Sequence, residues 1–256
     1  MQLISHLLSE GESANIDITI DLETLSLTST AAVVKMSAVA WHRWGDNHPY
    51  AVQSTDADGI ADLAWWYEPF SHVIDLRSCI NIGLDFDPST IAWWQRQSQE
   101  ARQSVLLDGT PRPITLVMSE FFHWLLALRC KVVESGCPTA PSFTLWAQGS
   151  DFDIAIIRNI IHRIGPEQEK AFSELIPYTS FRDARTFILE LGKVLHGAFI
   201  CDDPITAKRL YSVFPVDPFW NIPNTHDSLY DACRTSWQLW YLFQNIKCTP
   251  DVVMPT

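Results

Sequence analysis

The sequence predicts an α/β fold on three observations. The run Asn15-Ile16-Asp17-Ile18-Thr19-Ile20-Asp21-Leu22-Glu23 alternates apolar and polar residues with the period of a β-strand. A second apolar run, Ala32 to Trp41, follows the polar loop Ser26 to Thr30 and pairs with the first as a hairpin. Farther on, Ser142 to Ala147 is a short strand, Gln148-Gly149-Ser150 a turn, and Asp151 to Ile164 a helix.

The other elements follow from local signals. His72 to Ile82 holds a third apolar stretch, and Asp87-Pro88-Ser89 opens a helix that carries Trp93 and Trp94. Leu116 to Val133 is a strong helix, apolar nearly all round, so it is expected in the core with His123 a satisfied buried residue rather than a ligand. Asp183 to His196 is a further helix, and Gly197 to Pro223 is a long irregular segment with four prolines that ends near Phe219-Trp220. Thr225 is placed to cap a last helix running to Phe243.

Composition bounds the classes open to the chain. Its 256 residues are 47% hydrophobic, with 11 Trp and 13 Phe, enough for one sizeable core and against disorder. One domain over 1–256 is expected, with a core from 16 to 243 and an insertion at 197–223. A formal net charge of -12 argues against binding nucleic acid through a broad basic patch. Met1 to Glu10 has no positive leader region and no span of membrane length, so a cytoplasmic protein without membrane contact is expected. Cys79, Cys130, Cys137, Cys201, Cys233 and Cys248 show no zinc-ligand spacing, and they are expected to be reduced and mostly buried.

Five scattered polar residues carry the functional signal. Asp21 and Glu23 stand two apart on a strand and share a face, where their charges repel unless cations neutralise them. Hard carboxylate oxygens suit magnesium or manganese. Asp153 falls in the first turn of a helix just past a strand, a position that faces the ligand crevice in open α/β sheets. His226 and Asp231 are five apart, about 140° around a helix, so His226 stands at the helix start reaching sideways. From there it could take a proton from water while Asp231 binds metal beside Asp21.

Each residue also has a plainer reading. An Asp-x-Glu pair arises by chance among 30 acidic residues, and an acid at a helix start is favoured by the helix dipole. Asp151 is read as the cap of its helix, and Asp227 as helping to open the last one. Arg182 and Arg185 could meet substrate phosphate or equally a neighbouring carboxylate. Trp93 and Trp94 point about 100° apart on a helix, so one belongs to the core and the other, assigned as Trp94, stacks on a nucleobase.

Three motifs in order carry a resemblance: Asp21-Leu22-Glu23-Thr24, Gly149-Ser150-Asp151-Phe152-Asp153, and His226 with four residues before Asp231. The chain resembles the DEDDh 3′–5′ exonucleases of the ribonuclease H-like superfamily over roughly Ile16 to Phe243. Asp-Leu-Glu-Thr-Leu, Trp93-Trp94 and Arg182-Asp183-Ala184-Arg185-Thr186 are most similar to the bacterial and bacteriophage exoribonuclease branch. Gln148 stands where that branch often has Asn, which puts the contact of that residue in question.

The resemblance implies a mixed five-stranded sheet with helices on both faces. It implies two divalent cations, Mg2+ or Mn2+, held by Asp21, Glu23, Asp153 and Asp231, with His226 as general base. The substrate would be the 3′ end of single-stranded RNA, released as nucleoside 5′-monophosphates. Single-stranded DNA is the alternative polymer, and a non-catalytic binding module or an internally cutting nuclease the alternative classes. Thr24 and its backbone would meet the terminal ribose, Leu25 would wedge at the terminal base, and homodimerisation follows from the resemblance alone.

Overall fold

The computed structural model describes residues 15–45, 49–55, 61–106, 109–137, 139–196 and 226–247. The first ten residues, the 197–223 segment with Phe219-Trp220, the Thr225 cap, Cys201 and Cys248 lie outside the described residues.

Strand β1 (Asn15–Thr24) runs through the middle of a five-stranded sheet. It pairs antiparallel with β2 (Val33–Trp41), which pairs antiparallel with β5 (Phe70–Val73). On its other side β1 is parallel to β6 (Ser142–Ala147), which is parallel to β7 (Phe181–Asp183). The order is β5-β2-β1-β6-β7, the mixed five-stranded sheet that was expected. A separate hairpin pairs β3 (Tyr50–Thr55) with β4 (Ala61–Trp65).

Alternation in β1 divides the molecule into two layers. Ile16, Ile18, Ile20 and Leu22 join the core beneath α4 (Ile114–Glu134) and α5 (Asp153–Ile164). Burying one such side chain is worth about 1.5–3 kcal/mol, and a slip of one residue would exchange all four for Asp17, Thr19, Asp21 and Glu23. The register is therefore fixed. Over the opposite face lie α7 (Ala184–His196) and α8 (Ser228–Lys247), where Trp41, Trp146, Trp237 and Phe243 form a second, aromatic core.

Several elements differ from the sequence reading. The His72–Ile82 stretch is the end of β5 followed by α1 (Leu76–Asn81), because the side chain of Asp75 accepts from the Arg77 amide and opens a helix there. Helix α2 (Pro88–Gln95) starts where expected, with Asp87 accepting from the Ser89 amide at 2.6 Å. The short helices α3 (Gln99–Leu106) and α6 (Pro166–Leu175) were not foreseen. On α4 one stripe is buried, but Leu116, Leu126 and Val133 are exposed, as is His123, whose Nδ1 lies 2.8 Å from the Ser119 carbonyl. Asp151 does not cap α5. That helix begins at Asp153 with no side-chain cap, and Asp183 instead accepts from the Ser150 amide at 2.8 Å. Among the described cysteines Cys79, Cys137 and Cys233 are buried and Cys130 is exposed. No helix among the described residues is long and apolar enough to cross a membrane.

Candidate active site

The polar face of β1 becomes a site at its Thr24 end. Asp21 and Glu23 project toward the first turn of α8, where Asp231 meets them, and one carboxylate oxygen from each of the three lies within 4.8 Å of the others. Between Glu23 and Thr24 the β1–β2 register shifts, and the strand ends at Thr24 beside the cluster. Asp153 stands behind Asp21 at the start of α5, its Oδ1 accepting from the Leu22 amide at 3.1 Å. One oxygen is thus anchored to β1.

Electrostatics set this group apart. Burial, and then the charges of Asp153, Asp231 and Glu23, push Asp21 well above the ordinary carboxylate range. Burial first, then Asp231 and Asp227, pushes Glu23 up to about 8, with Lys35 opposing. Burial likewise raises Asp153 to about 7 against the pull of the Leu22 amide. Asp231 is raised by burial, while Arg234, 2.9 Å away, His226 and the His226 main chain hold it down. Four acids gathered against their own repulsion form a donor set that fits hard divalent cations.

His226 precedes α8 with a left-handed backbone, φ 72°. It is exposed at the rim of the cluster, and its ring meets Trp93 edge-on at 4.9 Å. Asp227, the next residue, caps the helix by accepting from the Leu229 and Tyr230 amides at 2.9 and 3.3 Å. The helix opens at Asp227 as the sequence suggests, and His226 sits just outside it.

A cavity of about 460 Å³ adjoins the cluster, with Glu23, Thr24, Leu27, Trp93, Arg96 and Phe152 in its wall. That volume suits one nucleotide-sized ligand. Both of the paired tryptophans line the cavity. Trp94 is the more buried of the two, 4% exposed, and its indole N–H donates to the Thr24 carbonyl at 2.9 Å. Trp93 is partly exposed and faces the cavity. Leu25, by contrast, is not in the wall of this cavity: it packs with Val34, Trp94 and Val105, and its amide is given to the Ala32 carbonyl. Leu27, 80% exposed, is the apolar side chain of that loop that reaches the cavity wall.

Around the second motif the polar groups are structural. Gly149, at φ 103°, takes a turn that favours glycine. Gln148 donates to the Thr235 hydroxyl at 2.9 Å and ties β6 to α8. Arg182 donates to the Thr179 and Phe181 carbonyls, and Arg185 donates to the Gln148 carbonyl while its charge favours ionised Asp153.

A family model matches residues 16–241: the Rv2179c-like family, described as a 3′-5′ exoribonuclease Rv2179c-like domain. The chain belongs to that family. It therefore carries a 3′–5′ exonuclease domain, and the three motifs of this site all fall within the matched span. No curated protein matches the sequence. Two solved structures are similar in fold: the zinc-bound complex of E. coli ExoI with ssDNA, and a product-bound structure of exonuclease I. Both have a TM-score of 0.47 and 12% identity over 91% of this chain. The chain spans less than half of either, 40% of the first and 46% of the second.

Sequence reasoning missed Leu27, Arg96 and Lys35. An exposed leucine in a loop gives no signal in one sequence. Lys35 does, as a lone charge within the apolar run Val33-Val34-Lys35-Met36.

Proposed function

We propose that this chain is a metal-dependent 3′–5′ exonuclease that removes nucleoside 5′-monophosphates one at a time from single-stranded RNA. The observation that carries the reading is the gathering of Asp21, Glu23 and Asp231, with Asp153 behind them, beside a nucleotide-sized cavity and an exposed histidine. The RNA preference rests on the family's description.

Asp21, Glu23, Asp153 and Asp231 would hold two divalent cations, Mg2+ or Mn2+. Bound there, the cations would supply positive charge to the attacking water, the phosphate and the leaving oxygen. His226 takes the proton from that water; its place at the rim, outside the helix, leaves the ring facing solvent and substrate. Trp93 and Leu27 hold the terminal nucleobase, a contact that tolerates any base. Thr24, at the end of β1, lies where the sugar would enter. The water oxygen bonds to phosphorus as the P–O3′ bond breaks, the leaving 3′ oxygen takes a proton from solvent to become the new 3′ hydroxyl, and the phosphate stays on the released nucleotide. A formal net charge of -12 disfavours a broad basic grip on a long polymer, so binding is concentrated on the 3′ end.

The test is degradation of 5′-labelled single-stranded RNA and the matching DNA with magnesium or manganese. A ladder descending by single nucleotides on RNA, with mononucleotide product, is expected. The same ladder on DNA alone would make the chain an exodeoxyribonuclease. Long internal fragments, or no cleavage, would overturn the reading.

A further inference from the structure

Lys35 lies on β2 directly across from Glu23, whose ionised form its charge favours, and its ammonium is hydrogen-bonded to Asp227. It is 4% exposed, and its Nζ donates to Asp227 Oδ2 at 2.6 Å and to the Ser104 carbonyl of α3 at 3.0 Å. Two residues along the same face of β2, the Ser37 hydroxyl meets the Ser228 hydroxyl at 2.7 Å and the Ser71 hydroxyl at 2.9 Å. One strand thus grips two consecutive residues, Asp227 and Ser228, at the point where the chain turns into α8.

That grip bears on the residues on either side. His226 immediately precedes Asp227, and the Asp231 amide donates to the Asp227 carbonyl at 2.9 Å. Asp227 spends Oδ1 on the Leu229 and Tyr230 amides and Oδ2 on Lys35, so its side chain has one orientation that satisfies both sets. Rotation of that residue would carry His226 away from Trp93 and Asp231 away from Asp21. A buried lysine is costly to hold unless it finds acceptors, and those of Lys35 include a carboxylate and a main-chain carbonyl from two separate elements.

We propose that Lys35 is a positioning residue: through Asp227 it fixes where His226 and Asp231 stand relative to β1. The proposal rests on His226 being the general base. Lys35 touches no reacting atom; its effect passes through the start of α8.

The test compares Lys35→Met with the double variant Lys35→Met/Asp227→Asn. The single variant leaves a carboxylate buried without its partner and can fail by unfolding. In the double variant that charge is gone, and the asparagine oxygen still caps the helix. Turnover of single-stranded RNA with manganese is read as kcat and KM separately. The ring signals of His226, assigned by their absence in His226→Gln, are read by NMR, because the Trp93 indole 4.9 Å away shifts them. In the double variant kcat is expected to fall roughly 100-fold, as for a displacement of about 1 Å at a reacting group, and KM to hold within about twofold. The His226 signals are expected to move toward exposed-histidine values. Wild-type kcat in the double variant, a lowered kcat with unmoved His226 signals, or loss of its folded state by circular dichroism would each overturn the proposal. If the wild type degrades neither RNA nor DNA, the reading of function has failed, and the His226 signals alone decide this one.

Discussion

The two ends of β1 put acids on the same face of the same strand and treat them in opposite ways. At the Asn15 end Asp17 is fully buried and ringed by donors: Arg43 binds both its oxygens, through Nε at 2.8 Å and through Nη2, and the Trp146 indole donates at 2.7 Å. Next to it Thr19 accepts from the Trp41 indole at 2.8 Å. At the Thr24 end Asp21 and Glu23 face Asp153, Asp231 and Asp227, and the nearest cations are shared with those same acids. Burial raises both Asp17 and Asp21, but Arg43 and Trp146 pull the first back down while three carboxylates drive the second farther up. A buried acid with its own donors holds the fold together; a half-buried acid among acids is what the proposed cation site requires.

Replacing one acid at each end breaks the comparison most severely. Asp21→Asn is expected to abolish turnover by removing a cation ligand, while leaving the cation-free protein at least as stable as wild type, since a repulsion has gone. RNA degradation and thermal melting in chelator check the two halves. His226→Ala, at the same end, should slow turnover by roughly 100- to 10,000-fold, the usual share of a general base. Full rate in that variant would remove histidine from the mechanism.

Asp17→Asn should do the reverse of Asp21→Asn. Stability is expected to drop by about 3 kcal/mol, the low end for breaking a buried pair because Arg43 keeps some access to water. Cation binding should survive in the folded fraction, as denaturant unfolding and calorimetry would show.

A smaller effect probes the Thr24 end by pH. Glu23 rises from 4.5 to about 8 and Asp153 from 3.8 to about 7, so the folded protein binds these protons more tightly than the unfolded chain does. Their contribution is fully present below the unfolded values and is lost as pH rises toward the folded ones. In chelator the melting temperature should therefore fall between about pH 5 and pH 8, and manganese should restore more of it at the upper pH. A melting temperature flat across that range would contradict the electrostatic account of the cluster.

How much of this could be seen in the sequence depended on the range of the interactions. β1, β2, β6 and the starts of α2 and α8 follow from alternation, apolar runs and acidic caps, all local. β7 has three residues, too few to show a period, and among the described residues β3 and β4 pair only with each other. At the site, motif order and spacing marked Asp21, Glu23, Asp153, His226 and Asp231 as candidates. Which tryptophan is the more buried depended on a hydrogen bond between Trp94 and Thr24, 70 residues apart, and the Leu25 and Leu27 exchange on how the loop packs on α2 and α3. Asp17 and Asp21 look alike in the sequence because Arg43, Trp146, Asp153 and Asp231 reach them only through tertiary structure.

The most direct test of that distinction is a calorimetric titration of manganese into wild type, Asp17→Asn and Asp21→Asn. Binding by wild type and by folded Asp17→Asn, but not by Asp21→Asn, is the expected result. Equal binding by wild type and Asp21→Asn would show that the carboxylates at the Thr24 end are not where the cations go.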